Sequence, residues 1–313
     1  MPQYEEHLLI KVAEYYYIDN LIQQQIANKL NISRVKVSRI LSKAKGIGLV
    51  EIRIKYPINS NVQMEKKFES IFNLKEALII SSEYYSKDQI FNEIARFAAQ
   101  YLTDNLKDGD VLGISWGKTL ERITGFLQYC GKNVEIVQLL GNIDPNTLGT
   151  YQIVNKFSKA FIGKYYLIPA LAIVDNKKIK EMIMSDSKII NIFKKANNAM
   201  FAITSIGNFN KESTFVSSGY LNDNDLKILV ESKAVGDYCG IFFDINGHIC
   251  DTTVSERVIG IEFEKLKKIP NVIGVAFGPE KAEAILGALR TGGINILITD
   301  QSTALEVISK IKE

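Results

Sequence analysis

The sequence predicts an α/β protein with a small helical module at its N-terminus. Three observations carry this. Residues 21–45 read as two short helices separated by a polar break. From Val111 onward, short apolar runs alternate with helical patterns, the rhythm of a mostly parallel sheet covered by helices. The charge is also divided unevenly. The chain has a net charge of +3, yet residues 1–56 alone carry nine Lys or Arg against five Asp or Glu, and the remaining 257 residues sum to −1.

At 313 residues and 46% hydrophobic content, the chain has ordinary globular composition and enough material for two domains. The boundaries read as 1–56 and 57–313. Cys130, Cys239 and Cys250 form no disulfide framework, which fits a reducing cytoplasm. His7 and His248 stand far apart, so no metal-ligand cluster and no cofactor motif is expected. No apolar stretch reaches the 18 residues that a membrane span needs, and the N-terminus lacks the pattern of a signal peptide.

Residues 5–18 read as a first helix with Leu8, Leu9, Val12, Ala13 and Tyr16 inward. In the next helix Ile22, Ile26, Ala27 and Leu30 form one stripe. Asn31-Ile32-Ser33 breaks it, and Ser33 is positioned to cap the following helix. There Val37, Ile40 and Leu41 face inward, leaving Arg34, Lys36, Ser38, Arg39 and Lys43 outward. This is a helix-turn-helix pattern, whose second helix enters a major groove. Residues 29–45 hold six basic residues and no acidic one, a phosphate-facing surface. The expected DNA-contacting set is Ser33, Arg34, Lys36, Ser38, Arg39 and Lys43, with double-stranded operator DNA as partner. Gly46-Ile47-Gly48 ends the helix, and Leu49–Lys55 alternates as the strand of a wing. Pro57–Asn61 reads as a linker.

In the larger part, helices are expected at 62–73, 86–105, 118–129, 149–160, 279–290 and 302–311. Strands are expected at Ala77–Ser81, Val111–Ile114, Val134–Leu139, Tyr165–Ile168, Ala199–Ile203, Val272–Ala276 and Ile296–Ile298. Phe242–Gly247 looks less like a core strand, and Asn246-Gly247 favours a hairpin or a crossover.

Ligands in such sheets sit beyond the carboxyl ends of the strands. The strongest candidate there is Gly113-Ile114-Ser115-Trp116-Gly117-Lys118-Thr119, which follows a strand and opens a helix. Its N–H groups suit a phosphate, and Ser115 and Thr119 offer hydroxyls. It is not a nucleotide P-loop, because the GxxxxGK[ST] spacing is unmet. A tight turn without a ligand is the bland alternative. Gly141 and Asn142 end another strand and Pro169 a third, while Asp237 lies in a glycine-bounded loop. Lys281 follows Gly278-Pro279 at a helix start. Asp300 is expected to cap the last helix. GISWG matches GxSxG as a string, yet a nucleophile elbow needs a later histidine, and only His248 is available. No catalytic constellation emerges.

The motifs IANKLNISRVKVSRILSKAKGIGLVEI, GISWGKTL, QLLGN, GDYCGIFFDINGHI and VIGVAFGPEKAEAILGALRTGGINILITD occur in this order. In this the chain resembles the SorC family of sugar-responsive bacterial transcription regulators, which includes the deoxyribonucleoside and central glycolytic gene regulators. The resemblance spans nearly the whole chain. It implies a winged helix-turn-helix joined to a sensor that is like sugar-phosphate isomerases in fold but binds rather than turns over its ligand. It implies a repressor released by a phosphorylated sugar or related metabolite, acting as a homodimer or homotetramer in the cytoplasm. By motif, the phosphate would meet Ser115, Gly117, Thr119 and Lys281, with Trp116 in the same turn. Gly141, Asn142, Pro169 and Asp237 would surround the sugar. One branch of the family holds an aldehyde sugar through a lysine Schiff base; here QLLGN supplies Leu139 and Leu140 and no amine. An active isomerase or aldolase-like enzyme fused to a DNA-binding module is the alternative.

Overall fold

The computed structural model describes residues 3–50, 61–83, 85–142, 149–210, 214–217, 219 and 221–311. The chain divides into two compact units, Met1–Ile58 and Asn59–Glu313.

The first unit holds three helices, α1 (Gln3–Tyr17), α2 (Gln23–Leu30) and α3 (Arg34–Gly46). Val12, Ile26, Ala27, Val37 and Leu41 form its buried centre, with Leu8, Tyr16, Leu30 and Ile40 packed around them. The break between α2 and α3 has a local cause. Asn31 adopts the left-handed conformation that closes α2, its N–H donating to the Ala27 and Asn28 carbonyls. Ser33 then accepts from the Lys36 N–H at 3.2 Å and starts α3. One expectation fails here. Ile22 is the N-cap of α2 and 62% exposed, because the stripe begins only once the helix does. Residues 49 and 50 form a bend after α3. The rest of the expected wing, with Arg53 and Lys55, and most of the expected linker lie outside the described residues.

The second unit is a seven-stranded parallel sheet flanked by helices. The strands are β1 (Glu76–Ile80), β2 (Val111–Ile114), β3 (Glu135–Gln138), β4 (Tyr165–Tyr166), β5 (Phe201–Ser205), β8 (Asn271–Val275) and β9 (Ile296–Asp300). Their order is β1-β9-β8-β5-β2-β3-β4. Strands buried on both faces read as continuous apolar runs, as in VLGI of β2 and NVIGV of β8. Two apolar clusters lie among the packed elements. One includes Leu102, Phe157 and Phe242, the other Phe68, Tyr238 and Leu286. From β2 the chain winds out through β3 to β4, then returns to β5 on the other side of β2. The sheet therefore changes winding direction between β2 and β5.

The expected strand at 165–168 is shortened to two residues. Side chains take over its ladder: Gln138 accepts from the Ile168 N–H at 2.9 Å, and Asn142 donates to the Ile168 carbonyl at 2.7 Å. Exposed Pro169 then offers no N–H to continue. The helix expected over 118–129 stops at Thr124, with Gly125 as its cap. Helices Lys177–Met184, Asn176-capped, and Ser187–Ala196, Asp186-capped, fill a region with no expected element.

Phe242–Gly247 does belong to a hairpin, formed by β6 (Ala234–Tyr238) and β7 (Ile241–Asp244). Its loop is Cys239-Gly240, with φ of 52° and 72°. Both central residues are left-handed, as a two-residue turn of this hand requires. Asn246-Gly247 makes a second turn, after which Ile249 bridges back to Phe243.

Candidate functional site

A cavity of about 230 Å³ opens at the carboxyl ends of β2 and β5, where the sheet reverses its winding. This is the position that open α/β sheets leave free for ligands. Ser115 continues β2, its N–H donating to the Ile203 carbonyl of β5 at 3.1 Å. Ser205 ends β5 and donates its hydroxyl to the Trp116 carbonyl at 3.2 Å. Gly117, with φ of 131°, turns the chain into the helix Lys118–Thr124. Thr119 sits in its first turn, only 4% exposed yet on the cavity wall.

Two further segments close the site. The β6–β7 hairpin brings in Asp237 and Cys239. Its first strand is tied to the loop after β5, where the Gly207 N–H donates to the Asp237 carbonyl at 2.8 Å and the Asp237 N–H to the Gly207 carbonyl at 3.2 Å. A Cβ at Gly207 would meet Asp237 Oδ1 at 2.5 Å, so this approach requires glycine. The turn Gly278–Lys281 supplies the other wall. Gly278, with φ of 101°, donates its N–H to Thr303 at 2.7 Å, and Pro279 opens a short 3-10 turn. Lys281 is thereby held with its ammonium donating to the Ile206 carbonyl at 3.0 Å.

The electrostatics are mixed. Burial pushes the Asp237 carboxyl up to about 7, against a hydrogen bond from the Gly240 N–H and the charge of Lys281. Burial drives the Lys281 ammonium down, against the charges of Asp237 and Glu280. Burial also raises the Cys239 thiol to about 12, so it is no nucleophile at neutral pH. Lys87 and Glu280 form an ion pair at 2.8 Å at the cavity wall, and Lys118 adds a third cation there. The apolar surface comes from Trp116, Phe215, Phe91 and Phe277. Trp116 meets Phe215 edge-on with ring centroids 4.9 Å apart, and Phe91 stacks on Phe277 at 4.4 Å.

The cavity thus gathers Ser115, Trp116, Thr119, Asp237 and Lys281 from three separate stretches, the turn after β2, the hairpin and the turn Gly278–Lys281. Four expected residues, Gly117, Gly141, Asn142 and Pro169, are not on its described lining. Gly117 shapes the turn, as the N-cap of the helix Lys118–Thr124. What approaches Gly141 is protein: a Cβ there would meet the Leu171 carbonyl at 2.6 Å. Its own carbonyl accepts from the Trp116 indole at 2.8 Å. Asn142 spends its amide on Ile168 and on Gln138, whose Nε2 donates to it at 3.0 Å. Pro169 is exposed beside them. Gly141, Asn142 and Pro169 brace Trp116 and the β3–β4 end rather than line the cavity. Of the QLLGN stretch only Leu140 is on the lining, and it supplies no amine. His248 pairs with Asp244 on the hairpin at 3.1 Å and is not among the described lining residues. Asp300 caps the last helix by accepting from the Thr303 N–H at 3.1 Å. Among the described residues no group of His, Cys, Asp or Glu is placed to hold a metal, and no helix is long and apolar enough to cross a membrane.

Phe91, Phe215 and Phe277 and the Lys87–Glu280 pair escape sequence reading. Phe91 lies in the helix Lys87–Asn105 and Phe215 in a short helix after β5, and only the fold brings them to one mouth.

In the first unit, Ser33, Arg34, Lys36, Ser38, Arg39 and Lys43 are all exposed along α3. No ion pair engages Arg34, Lys36 or Arg39 among the described residues.

Residues 56–309 match the Sugar-bind family of sugar-binding domains. The deoxyribonucleoside regulator of Bacillus subtilis is 35% identical over 314 residues, covering 99% of this chain and 100% of that protein. The sorbitol operon regulator of Klebsiella pneumoniae is 29% identical over 95% of this chain and 96% of its own length. The crystal structure of the full-length sorbitol operon regulator superposes with a TM-score of 0.73, covering 96% of this chain and 97% of that one. A transcriptional regulator from Streptococcus pneumoniae, 27% identical, reaches 0.77 over 80% of this chain and 98% of its own. These relatives are transcriptional regulators, which removes the enzyme alternative. With its N-terminal helix-turn-helix and its sugar-binding domain, the chain belongs to the SorC/DeoR-type family of sugar-responsive, DNA-binding transcriptional regulators.

Proposed function

We propose that the chain is a repressor that leaves its operator when a phosphorylated sugar, or a related phosphorylated metabolite, enters the cavity at the β2–β5 switch point. One observation carries this reading: the hydroxyls of Ser115 and Thr119 share a wall with Lys87, Lys118 and Lys281, beside a buried carboxyl. Phosphate oxygens accept from hydroxyls and ammonium groups. Asp237 suits a sugar hydroxyl, as acceptor when charged and as donor when protonated. The rings of Trp116 and Phe215 suit the C–H face of a sugar. Relatives named for deoxyribonucleosides and sorbitol favour a sugar-derived effector.

Arg34, Lys36, Ser38 and Arg39 serve as the groove and backbone contacts of α3, flanked by Ser33 and Lys43. Two copies joined through their effector units would present two recognition helices to related half-sites. An effector regulates only through unequal affinity for the DNA-competent and incompetent arrangements.

The test is a thermal-shift panel of phosphorylated and unphosphorylated sugars on the full chain. A ligand that binds the native state raises its melting temperature. One phosphosugar should stabilise selectively and lower operator affinity. Thr119→Ala should weaken that phosphosugar by at least tenfold and its unphosphorylated analogue much less. Equal losses would remove Thr119 from the phosphate role, and no shift across the panel would overturn the phosphosugar reading.

A further inference from the structure

The outward face of α3 is not uniformly polar. Val35 is 62% exposed, one residue into the recognition helix. It lines a shallow concavity with Gln23 from the start of α2 and with Arg34, Ser38 and Arg39 from α3. Ser38, Arg39 and Ser42 lie three, four and seven residues after Val35, so the four share the face opposite buried Val37, Leu41 and Ala44. Among the described residues no other apolar side chain lines this concavity. Scattered exposed valines are common on protein surfaces. This one stands among two guanidiniums, an amide and a hydroxyl, on the half of the recognition helix that reaches base edges.

We propose that Val35 is a base-reading residue that packs against the 5-methyl group of a thymine. This rests on the DNA-binding role given to α3 above and names what that helix reads. The occupant follows from charge and from groove chemistry. No acidic residue interrupts 29–45, so a polyanion is the partner this face attracts. In a major groove, thymine is the unmodified base whose edge offers a methyl group, and apolar side chains contact it. Valine is stiff about χ1, so its two methyls are held in place before DNA arrives. The neighbouring Arg34 and Arg39 supply phosphate or guanine contacts, and neither discriminates thymine from cytosine through a methyl.

The experiment begins with selection from a randomised duplex library using the full chain. Wild type and Val35→Ala are then compared on the selected duplex, with each thymine replaced in turn by uracil, which removes only the methyl. Losing the burial of one methyl corresponds to about fourfold in affinity. The expected result is a thymine in each half-site at which uracil weakens wild type about three- to tenfold and leaves Val35→Ala unaffected. Arg39→Ala should weaken the thymine and uracil duplexes alike and flatten the salt dependence. Val35→Thr, which keeps one methyl and the shape, should fall between wild type and alanine. A selected site at which no uracil substitution separates wild type from Val35→Ala overturns the role of Val35 and leaves DNA binding standing. Failure of wild type to enrich any sequence overturns sequence-specific DNA binding itself, and the thymine contact with it.

Discussion

Asp237 carries a cost that the fold accepts. Its carboxyl titrates near 7 in the folded chain against an ordinary 3.8. Between those values the folded state holds a proton that the unfolded state has released. Its contribution to stability is therefore full below about pH 4 and is lost as the pH rises toward and through 7. Asp237→Asn keeps an acceptor for the Gly240 N–H and removes the buried charge. The variant should melt several degrees above wild type at pH 8, and the gap should close as the pH falls to 4. A variant less stable than wild type at pH 8, with no pH trend, would show that burial of Asp237 is not what costs. A carboxyl kept at such a cost points to use in the cavity. The residues legible in the sequence share one property. Ser115, Trp116, Thr119, Asp237 and Lys281 border glycine turns at strand or hairpin ends, where local pattern and site coincide. Gly141 and Asn142 show the same pattern, but their space and amides are taken by the 168–171 segment. That neighbour is distant in sequence and leaves no local sign.

At the scale of elements, the helix Val62–Phe72 shows how an edge strand is finished. β1 pairs with β9 on one side only. On its open side the Ile79 N–H donates to Glu65 at 2.9 Å and the Ala77 N–H to Glu69 at 3.1 Å. Asn61 donates to the Ile79 carbonyl at 3.0 Å. The match is geometric: four helical residues rise about 6 Å and two strand residues about 6.6 Å. The helix thus stands in for a further strand and removes a template for edge-to-edge pairing. Glu65→Ala and Glu69→Ala each leave a backbone N–H unpaired and should destabilise the chain by about 1 kcal/mol in urea unfolding. Glu→Gln at either position should cost less, since an amide oxygen still accepts. A glutamine as costly as alanine would show that charge, not N–H acceptance, holds the helix. The apolar spacing predicts the helix and the alternation predicts the sheet; β1 as an edge is a property of strand order, which no local pattern contains. The hairpin turn was similarly hidden. Asn246-Gly247 is the stronger turn signal, yet the tight loop between β6 and β7 uses Cys239, a residue that seldom adopts positive φ.

For the whole molecule, the division of charge constrains how regulation works. Residues 1–56 carry +4 and the rest −1, so attraction to DNA resides in the first unit. An effector acts through the difference in its affinity for the arrangements that bind DNA and those that do not. Under the proposed release mechanism the sugar shifts an equilibrium between arrangements, and such coupling is reciprocal. If a phosphosugar weakens operator binding a hundredfold, a coupling of about 2.8 kcal/mol, the operator duplex must weaken phosphosugar binding by the same hundredfold. Titrating the sugar into free protein and into the protein–operator complex measures one side. Titrating operator with and without saturating sugar measures the other. Matching factors at several protein concentrations would locate the switch within an intact assembly. Factors that change with protein concentration would instead place it in the assembly equilibrium, with the sugar favouring a state in which two recognition helices are no longer held together.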